Sequence, residues 1–270
     1  MTALRQAHIG GLFLFSIIAW GLAWPISKIG LAYLSPLWFV AIRLSIGTIV
    51  MLILAFVFNK LTLPTRHDWP LIVAIGLLQI GLFVLFINIG LYYMPPGHAA
   101  LFTYVTPLWV IPLSILFFNE RPKRMHWLGL MASMGGLMIL ISPWEMNWSD
   151  HHVIFGVIML LTASLAWALS LICARYLPWH KSPTELTPWQ LLMGTLLVLL
   201  FAIIKEPAIF THAIHWNKML ILSLCYTGIV VAGLSQWTGV IVSKELSPIV
   251  FSLGLLLVPL ISLGCSIAYM

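Results

Sequence analysis

The stretch GHAALFTYVTPLWVIPLSILFFNERPKR, residues 97–124, shows what kind of fold this chain adopts. It is a run of roughly twenty mostly apolar residues, the length that an α-helix needs to cross the hydrocarbon core of a bilayer. Two prolines, Pro107 and Pro112, interrupt the run, and it ends in a cluster of charged residues. We therefore predict a membrane-spanning helix that bends near its middle and ends at a membrane surface.

The composition of the whole chain agrees with a membrane protein. Of its 270 residues, 61% are hydrophobic and 7% are charged, whereas a soluble domain carries roughly 25% charged residues. The basic residues lie between apolar segments, so the net charge of +6 indicates membrane topology rather than nucleic-acid binding. The cysteines lie inside apolar segments and form no disulfide or metal pattern. We predict an integral membrane protein without a metal or another cofactor.

Nine segments of the sequence are long and apolar enough to cross a bilayer as helices. Their connections are short and leave no room for a soluble domain, and none of the segments alternates as a strand of a membrane barrel would. The segments cover residues 9–29, 36–58, 69–93, 97–118, 126–143, 153–177, 187–204, 217–242 and 247–270. The predicted fold is therefore all-α and integral to the membrane.

The positions of Lys and Arg predict the orientation of these helices. With the N-terminus in the cytoplasm, most basic residues at segment ends fall on the inside, and the outer ends carry only Lys28, Lys205 and Lys218. We predict a multi-pass protein of the inner cell membrane with a cytoplasmic N-terminus.

The two halves of the chain share a pattern of glycines and prolines. Residues 152 positions apart match in the pairs Pro36 and Pro188, Gly76 and Gly228, Gly81 and Gly233, Pro96 and Pro248, and Pro107 and Pro259. The first and sixth segments match at 147 positions, which pairs Trp20 with Trp167 and Lys28 with Arg175. We interpret this pattern as a repeat of two five-helix halves, residues 1–145 and 146–270. Because five is odd, the second half would cross the membrane in the inverted direction.

The second half of the predicted repeat contains four of its five helices. The counterpart of Glu120 in the first half would fall after the last residue, Met270. We therefore expect a tenth membrane-spanning helix beyond residue 270.

Several stretches resemble the drug/metabolite transporter superfamily, in its EamA-like ten-helix branch. They are WGLAWPISKIGL (20–31), SPLWFVAIRL (35–44) and YYMPPGHAALFTYVTPLWVIPLSILFFNERP (92–122), and the resemblance covers essentially the whole chain. It implies an inverted-repeat carrier, often an exporter of amino acids or other metabolites. It also implies a central cavity formed by the first four helices of each half.

Arg43 is the clear case of a charged side chain at membrane depth, where charge is costly and often functional. Its guanidinium could bind a carboxylate or phosphate of a substrate, or it could lock helices through their carbonyl groups. Its counterpart at 152 positions is Thr195, so the repeat does not require a charge there. Asn88 and Gln236 are the larger polar residues at depth, and they serve either a binding site or helix packing.

Aromatic residues are the other candidates for the lining of a cavity. Tryptophans near segment ends are typical interface anchors, whereas those deeper in the segments either pack helices or line a cavity. An aromatic lining would suit an apolar, aromatic or cationic solute. The deep candidates for substrate binding are Trp20, Trp24, Tyr104, Trp109 and Trp167.

Pro107 and Pro259 are candidate hinges because they interrupt corresponding helices of the two halves. We expect the bends to expose unpaired carbonyl groups in the cavity, although the prolines could also serve packing alone. Glu120 is explained by an ion pair with one of the neighbouring basic residues, and a gating role for it is only what the family resemblance implies.

The sequence favours a secondary active transporter that exports a small metabolite by alternating access. The alternatives are a membrane channel and a non-transporting membrane scaffold. An enzyme is not expected, because no buried His/Asp/Glu set and no HExxH or GxSxG motif is present. The expected partners are a small-molecule substrate and the lipid bilayer, with no nucleic acid. The small residues of the fifth segment leave a homodimer open.

Overall fold

The computed structural model describes residues 3–119, 122–207, 214 and 216–269, and these ranges form helices and the connections between them. The α-helices are α1 (Ala3–Leu31), α2 (Pro36–Val57), α3 (Trp69–Val73), α4 (Val84–Tyr93), α5 (Pro96–Thr103), α6 (Pro107–Phe118), α7 (Arg124–Ile141), α8 (His151–Tyr176), α9 (Pro183–Lys205), α10 (Lys218–Cys225), α11 (Gln236–Glu245), α12 (Pro248–Gly254) and α13 (Leu257–Tyr269). Two π-helices, Ala74–Phe83 and Tyr226–Ser235, join α3 to α4 and α10 to α11.

Within the described ranges these helices form nine candidate membrane spans, which confirms the predicted number. The third span consists of α3, the first π-helix and α4, and the eighth consists of α10, the second π-helix and α11. The fourth span consists of α5 and α6, and the ninth consists of α12 and α13. The other five spans are single helices. The predicted boundaries are correct within a few residues, the largest shift being the start of the first helix, at Ala3 rather than at residue 9.

The two π-helices occupy corresponding places in the sequence. Tyr226 follows Ala74 by 152 positions, the same separation as Ser235 from Phe83. A π-helix adds a residue to one turn and is frequently found at functional sites. This shared irregularity supports the repeat that the glycines and prolines predict.

The fourth and ninth spans are interrupted at the predicted prolines. The second part of the fourth span begins at Pro107, and Pro259 is the third residue of α13. The two carbonyl groups that Pro107 and Pro259 deprive of their usual N–H partner are not left unpaired. The Thr106 hydroxyl donates to the Thr103 carbonyl at 3.0 Å, and the Val258 N–H donates to the carbonyl of Leu255 at 3.0 Å. The backbone is therefore bent without losing hydrogen bonds to the Thr103 and Leu255 carbonyls.

The second and seventh spans pack against each other. The hydroxyls of Thr48 and Thr195, which are 147 positions apart, form a hydrogen bond of 2.8 Å between the two helices. The glycines that precede them, Gly47 and Gly194, allow the backbones of the π-helices to come close. A contact between equivalent residues is what a twofold repeat produces at its axis.

Contacts of the π-helices define the register of the second and seventh spans. A Cβ atom on Gly228 would lie 3.1 Å from the Arg43 carbonyl oxygen, and one on Gly76 would lie 2.8 Å from the Gln190 carbonyl oxygen. Because Gly76 and Gly228 correspond, the counterpart of Arg43 is Gln190 rather than Thr195. By the same register the counterpart of Pro36 is Pro183, which begins its helix, rather than Pro188.

Side-chain contacts identify which ends of the spans share a face. We call the end that holds Arg5 the N-terminal face, where Arg5 forms a 2.8 Å ion pair with Glu245. We call the other end the opposite face, where the Lys28 ammonium donates to the carbonyl groups of Leu91, Tyr92 and Met94. The cytoplasmic location of the N-terminal face stays a prediction.

A polar cluster joins two connections at the N-terminal face. Lys181, which follows the sixth span, donates to the Leu63 carbonyl at 2.6 Å. Asp68 accepts hydrogen bonds from the N–H and the hydroxyl of Thr65. Burial acts to raise the pKa of Asp68, but these bonds and the charges of Lys181 and His180 together hold that pKa below its ordinary value. Asp68 therefore stays ionised near neutral pH and orders the connection before the third span.

Candidate functional site

A cavity of about 680 Å³, including space that is open to solvent, lies among the spans of both halves. The lining residues come from the first, second, third, fourth, sixth, seventh and eighth spans. The predicted binding residues that line it are Trp20, Trp24, Arg43, Asn88, Tyr104, Trp167 and Gln236.

Trp109 is the predicted binding residue that the structure places outside this lining. It follows the interruption of the fourth span, and its N–H bonds to the Thr106 carbonyl. Its ring is half-buried and packs against the main hydrophobic core. The break before Pro107 changes the direction in which the following residues point. The position of Trp109 deep in an apolar segment therefore did not show whether it faces the cavity.

Trp167 is the centre of the aromatic wall. Its ring lies 5.7 Å from that of Trp20, at 89°, and 5.7 Å from that of Tyr104, at 70°. Phe83 lies 4.3 Å away on another side, and Tyr104 also contacts Trp24 at 6.2 Å. Edge-to-face pairs of this kind are stabilising and hold the rings in defined positions. The wall therefore forms a rigid apolar surface on one side of the cavity.

Arg43 brings a positive charge to the cavity and is only 8% exposed. Its Nη1 atom donates to the Ser27 hydroxyl at 3.3 Å, and its Nε atom has no hydrogen-bond partner. No Asp or Glu is among the residues that line this cavity. A buried charge without a counter-charge is strongly unfavourable, so the guanidinium is prepared to bind an anionic group.

Two side-chain amides supply further polar atoms. Gln79 donates a 3.4 Å hydrogen bond to Gln236 and accepts one from Ser170 at 3.2 Å. The Nε2 atom of Gln236 has no partner. Asn88 donates to the Val84 carbonyl at 2.8 Å, and its Oδ1 atom has no partner. Each buried polar group without a partner costs roughly 1–3 kcal/mol. The cavity therefore offers free donors on Arg43, Gln236 and Trp167, and a free acceptor on Asn88.

Three lining residues stand out that sequence reasoning did not select, namely Ser27, Gln79 and Phe83. Gln79 resembled the other polar residues at depth, and Phe83 lies within a continuous apolar run. Gln79 and Phe83 both lie in the first π-helix, and a predicted π-helix would have marked them as candidates. The spacing of glycines in the sequence does not by itself predict a π-helical hydrogen-bond pattern.

The remaining predicted residues lie elsewhere. Pro107 and Pro259 bend their spans without lining the cavity, although Tyr104, just before the first bend, does line it. Glu120 lies outside the described residues. Among the residues that the structure does describe, no group of His, Cys, Asp or Glu could hold a metal ion.

The chain belongs to the EamA-like transporter family, whose profile matches residues 9–142 and 154–270. This match confirms the resemblance to the drug/metabolite transporters. The two matched segments lie on either side of the predicted boundary between residues 145 and 146. The protein is thus a multi-pass membrane protein of a transporter family.

Known relatives carry transporter names. The chain is 24% identical over 247 residues to the uncharacterized transporter YoaV of Bacillus subtilis, covering 91% of this chain and 83% of that one. It is 26% identical over 238 residues to a probable amino-acid metabolite efflux pump of Salmonella typhimurium, covering 84% and 76%. A crystal structure that is 19% identical superposes with a TM-score of 0.74 over 97% of this chain and 88% of that one, which shows the same fold.

Proposed function

We propose that the protein is a secondary active transporter that exports a small, amino-acid-like metabolite by alternating access, and that it is not an enzyme. The observation that carries the substrate class is Arg43, a buried cation in an aromatic cavity whose lining contains no acidic residue. The name of the Salmonella relative supports both the metabolite and the outward direction.

The free polar atoms of the cavity suit a zwitterion with an apolar side chain. A carboxylate would bind the Arg43 guanidinium, which is the preferred partner of planar anions. An ammonium group would donate to the free Oδ1 of Asn88. The side chain of the solute would lie against the rings of Trp20 and Trp167, which gain from burying apolar area.

Alternating access is supported by irregularities in corresponding spans. Substrate sites of many carriers lie where two inverted repeats meet at discontinuous helices. Here the third and eighth spans contain π-helices, and the fourth and ninth are interrupted at Pro107 and Pro259. We assign residues 1–145 and 146–270 to the two inverted halves, which would rock against each other about the cavity.

The fifth span is where the homodimer left open by the sequence would form. Many of its apolar side chains are exposed, among them Met131 and Ile139. A Cβ atom added to Gly135 or Gly136 would meet nothing within 4 Å. Lipid covers this face in a monomer, and a second copy would cover it in a dimer.

Transport in proteoliposomes tests the substrate class directly. We expect saturable counter-exchange of phenylalanine but not of phenethylamine, which lacks the carboxylate. Arg43→Met should weaken apparent affinity for phenylalanine by roughly 10- to 100-fold, because charged hydrogen bonds contribute roughly 1.5–3 kcal/mol. Arg66→Met, the same change at an exposed arginine of a connection, is the matched control and should leave transport unchanged.

Two results would contradict this proposal. Transport of phenethylamine that is unaffected by Arg43→Met would mean that the aromatic wall selects a cation and that Arg43 is structural. Flux without saturation or counter-exchange would indicate a channel, and the absence of flux for a broad panel of amino acids and amines would favour a scaffold.

A further inference from the structure

Gln190 is a fully buried glutamine whose side chain has no partner. It lies in the seventh span and is 0% exposed, and neither its Oε1 nor its Nε2 atom makes a hydrogen bond. It does not line the cavity. Leaving a buried amide unpaired is costly, and an apolar residue of the same size would avoid that cost. Packing in the present conformation therefore does not account for a glutamine here.

The position of Gln190 in the second half is that of Arg43 in the first. Its carbonyl oxygen faces Gly76 of one π-helix as the Arg43 carbonyl oxygen faces Gly228 of the other. The residues that follow them, Leu44 and Leu191, both line the cavity. The two polar side chains thus stand at equivalent places, but only Arg43 reaches the cavity.

The cavity extends toward one face of the protein only. Leu91, whose carbonyl accepts a hydrogen bond from Lys28 at the opposite face, is part of the lining. On that side it is accompanied by Ser27 and Asn88. The counterparts of these three residues, Ala174, Val240 and Ser243, do not line the cavity. The lining therefore reaches further toward the opposite face than toward the N-terminal face, on whose side Gln190 lies.

We propose that Gln190 is a second polar contact for the solute, used in the alternate state in which the path to the N-terminal face is open. Alternating access moves one inverted half against the other around a fixed site, and we take the alternate state to be this one with the conformations of the two halves exchanged. The exchange would give Gln190 the surroundings that Arg43 has here. Its amide can donate to a carboxylate through Nε2 and accept from an ammonium group through Oε1. This inference rests on the proposed transport function and adds a residue to its site.

Cysteine accessibility tests the change of surroundings. In a variant with Cys173, Cys225 and Cys265 replaced by Ala, Gln190→Cys should react with a small membrane-impermeant methanethiosulfonate from the N-terminal face during transport. Arg43→Cys should react from the opposite face. Ala202→Cys is the matched control, because Ala202 lies on the same helix and both it and its counterpart Ala55 are 0% exposed. It should react from neither face.

Gln190→Met separates a contact role from a packing role. The change removes the unpaired amide, so the unfolding temperature should rise. If Gln190 binds the solute, the half-saturation concentration for phenylalanine at the N-terminal face should increase roughly tenfold, with a smaller change at the opposite face. A merely structural role would give the stabilisation without any change in half-saturation.

Three results decide the matter. Reaction of Gln190→Cys from the N-terminal face, with the one-sided loss of affinity in Gln190→Met, supports the proposal. Failure of Gln190→Cys to react from either face, while Arg43→Cys reacts and the wild type exchanges phenylalanine, overturns it and leaves the transport function intact. Absence of any exchange by the wild type overturns both.

Discussion

Replacing Gly194 with alanine should push two spans of the bundle apart. Gly194 lies where the seventh span meets the π-helix of the third. A Cβ atom there would be 2.7 Å from the Gly76 carbonyl oxygen and 2.7 Å from the Ile80 Cβ atom, whereas ordinary contacts are 3.4–4 Å. Neither atom can rotate away, because one belongs to the backbone and the other is attached to it. The helices must therefore separate by several tenths of an ångström.

The expected cost is that of overpacking, roughly 1–3 kcal/mol. The measured loss of stability will be smaller than this cost, since alanine is a better helix former than glycine by about 1 kcal/mol. Gly11→Ala, in the first span, removes this ambiguity, because its added Cβ atom meets nothing within 4 Å and the gain in helix propensity is similar. The difference between the two variants isolates the contact. Gly47→Ala should behave like Gly194→Ala, since its Cβ would lie 2.8 Å from that of Ala232.

Thermal unfolding of the detergent-purified protein, followed by tryptophan fluorescence, measures this difference. A loss of 1–3 kcal/mol corresponds to a melting temperature lower by roughly 2–12 °C for a chain of this size. Because Ile80 also lines the cavity, solute affinity should fall in Gly194→Ala as well. If Gly194→Ala and Gly11→Ala melt within about 1 °C of each other, the close approach of these helices is not what glycine provides.

The other two predictions concern motion and orientation. Pro107→Ala and Pro259→Ala should slow exchange in proteoliposomes more than they weaken binding, because the restored N–H favours a straight helix. Pro112 has no counterpart in the other half, so Pro112→Ala should have a smaller effect. Wild-type exchange rates in the first two variants would mean that those prolines serve packing alone. Cysteines introduced at Lys123 and Asn147 should react with an impermeant reagent from opposite sides of the membrane, Lys123 from the cytoplasm, and reaction of both from the outside of intact cells would reject the predicted orientation.

The amino-acid sequence by itself determines the class of fold. The length and low charge of its apolar segments leave a bundle of membrane helices as the stable arrangement, because a bilayer cannot satisfy exposed backbone groups. The interruptions of the fourth and ninth spans were also predictable, since proline lacks the N–H that a helix needs. These are local properties, and each can be read from a few adjacent residues.

The sequence identified the deep aromatic and polar residues but not all of their neighbours. Trp20, Trp167 and Arg43 could be selected because large aromatic and charged residues are conspicuous at membrane depth. Phe83 could not, because in an apolar run it looks like any residue that faces lipid. Trp109 was selected by the same reasoning and packs in the core instead.

Only the tertiary structure decided which residues correspond in the two halves. Matching letters paired Pro36 with Pro188 and Arg43 with Thr195, whereas the contacts of Gly76 and Gly228 pair Arg43 with Gln190. The reason is geometric. The face that a helical residue presents changes by about 100° with each position, so its neighbours depend on how helices cross and where their hydrogen bonding changes to the π pattern. Those features arise from packing between distant segments, and an error of a few positions in register turns a side chain from the cavity to the lipid.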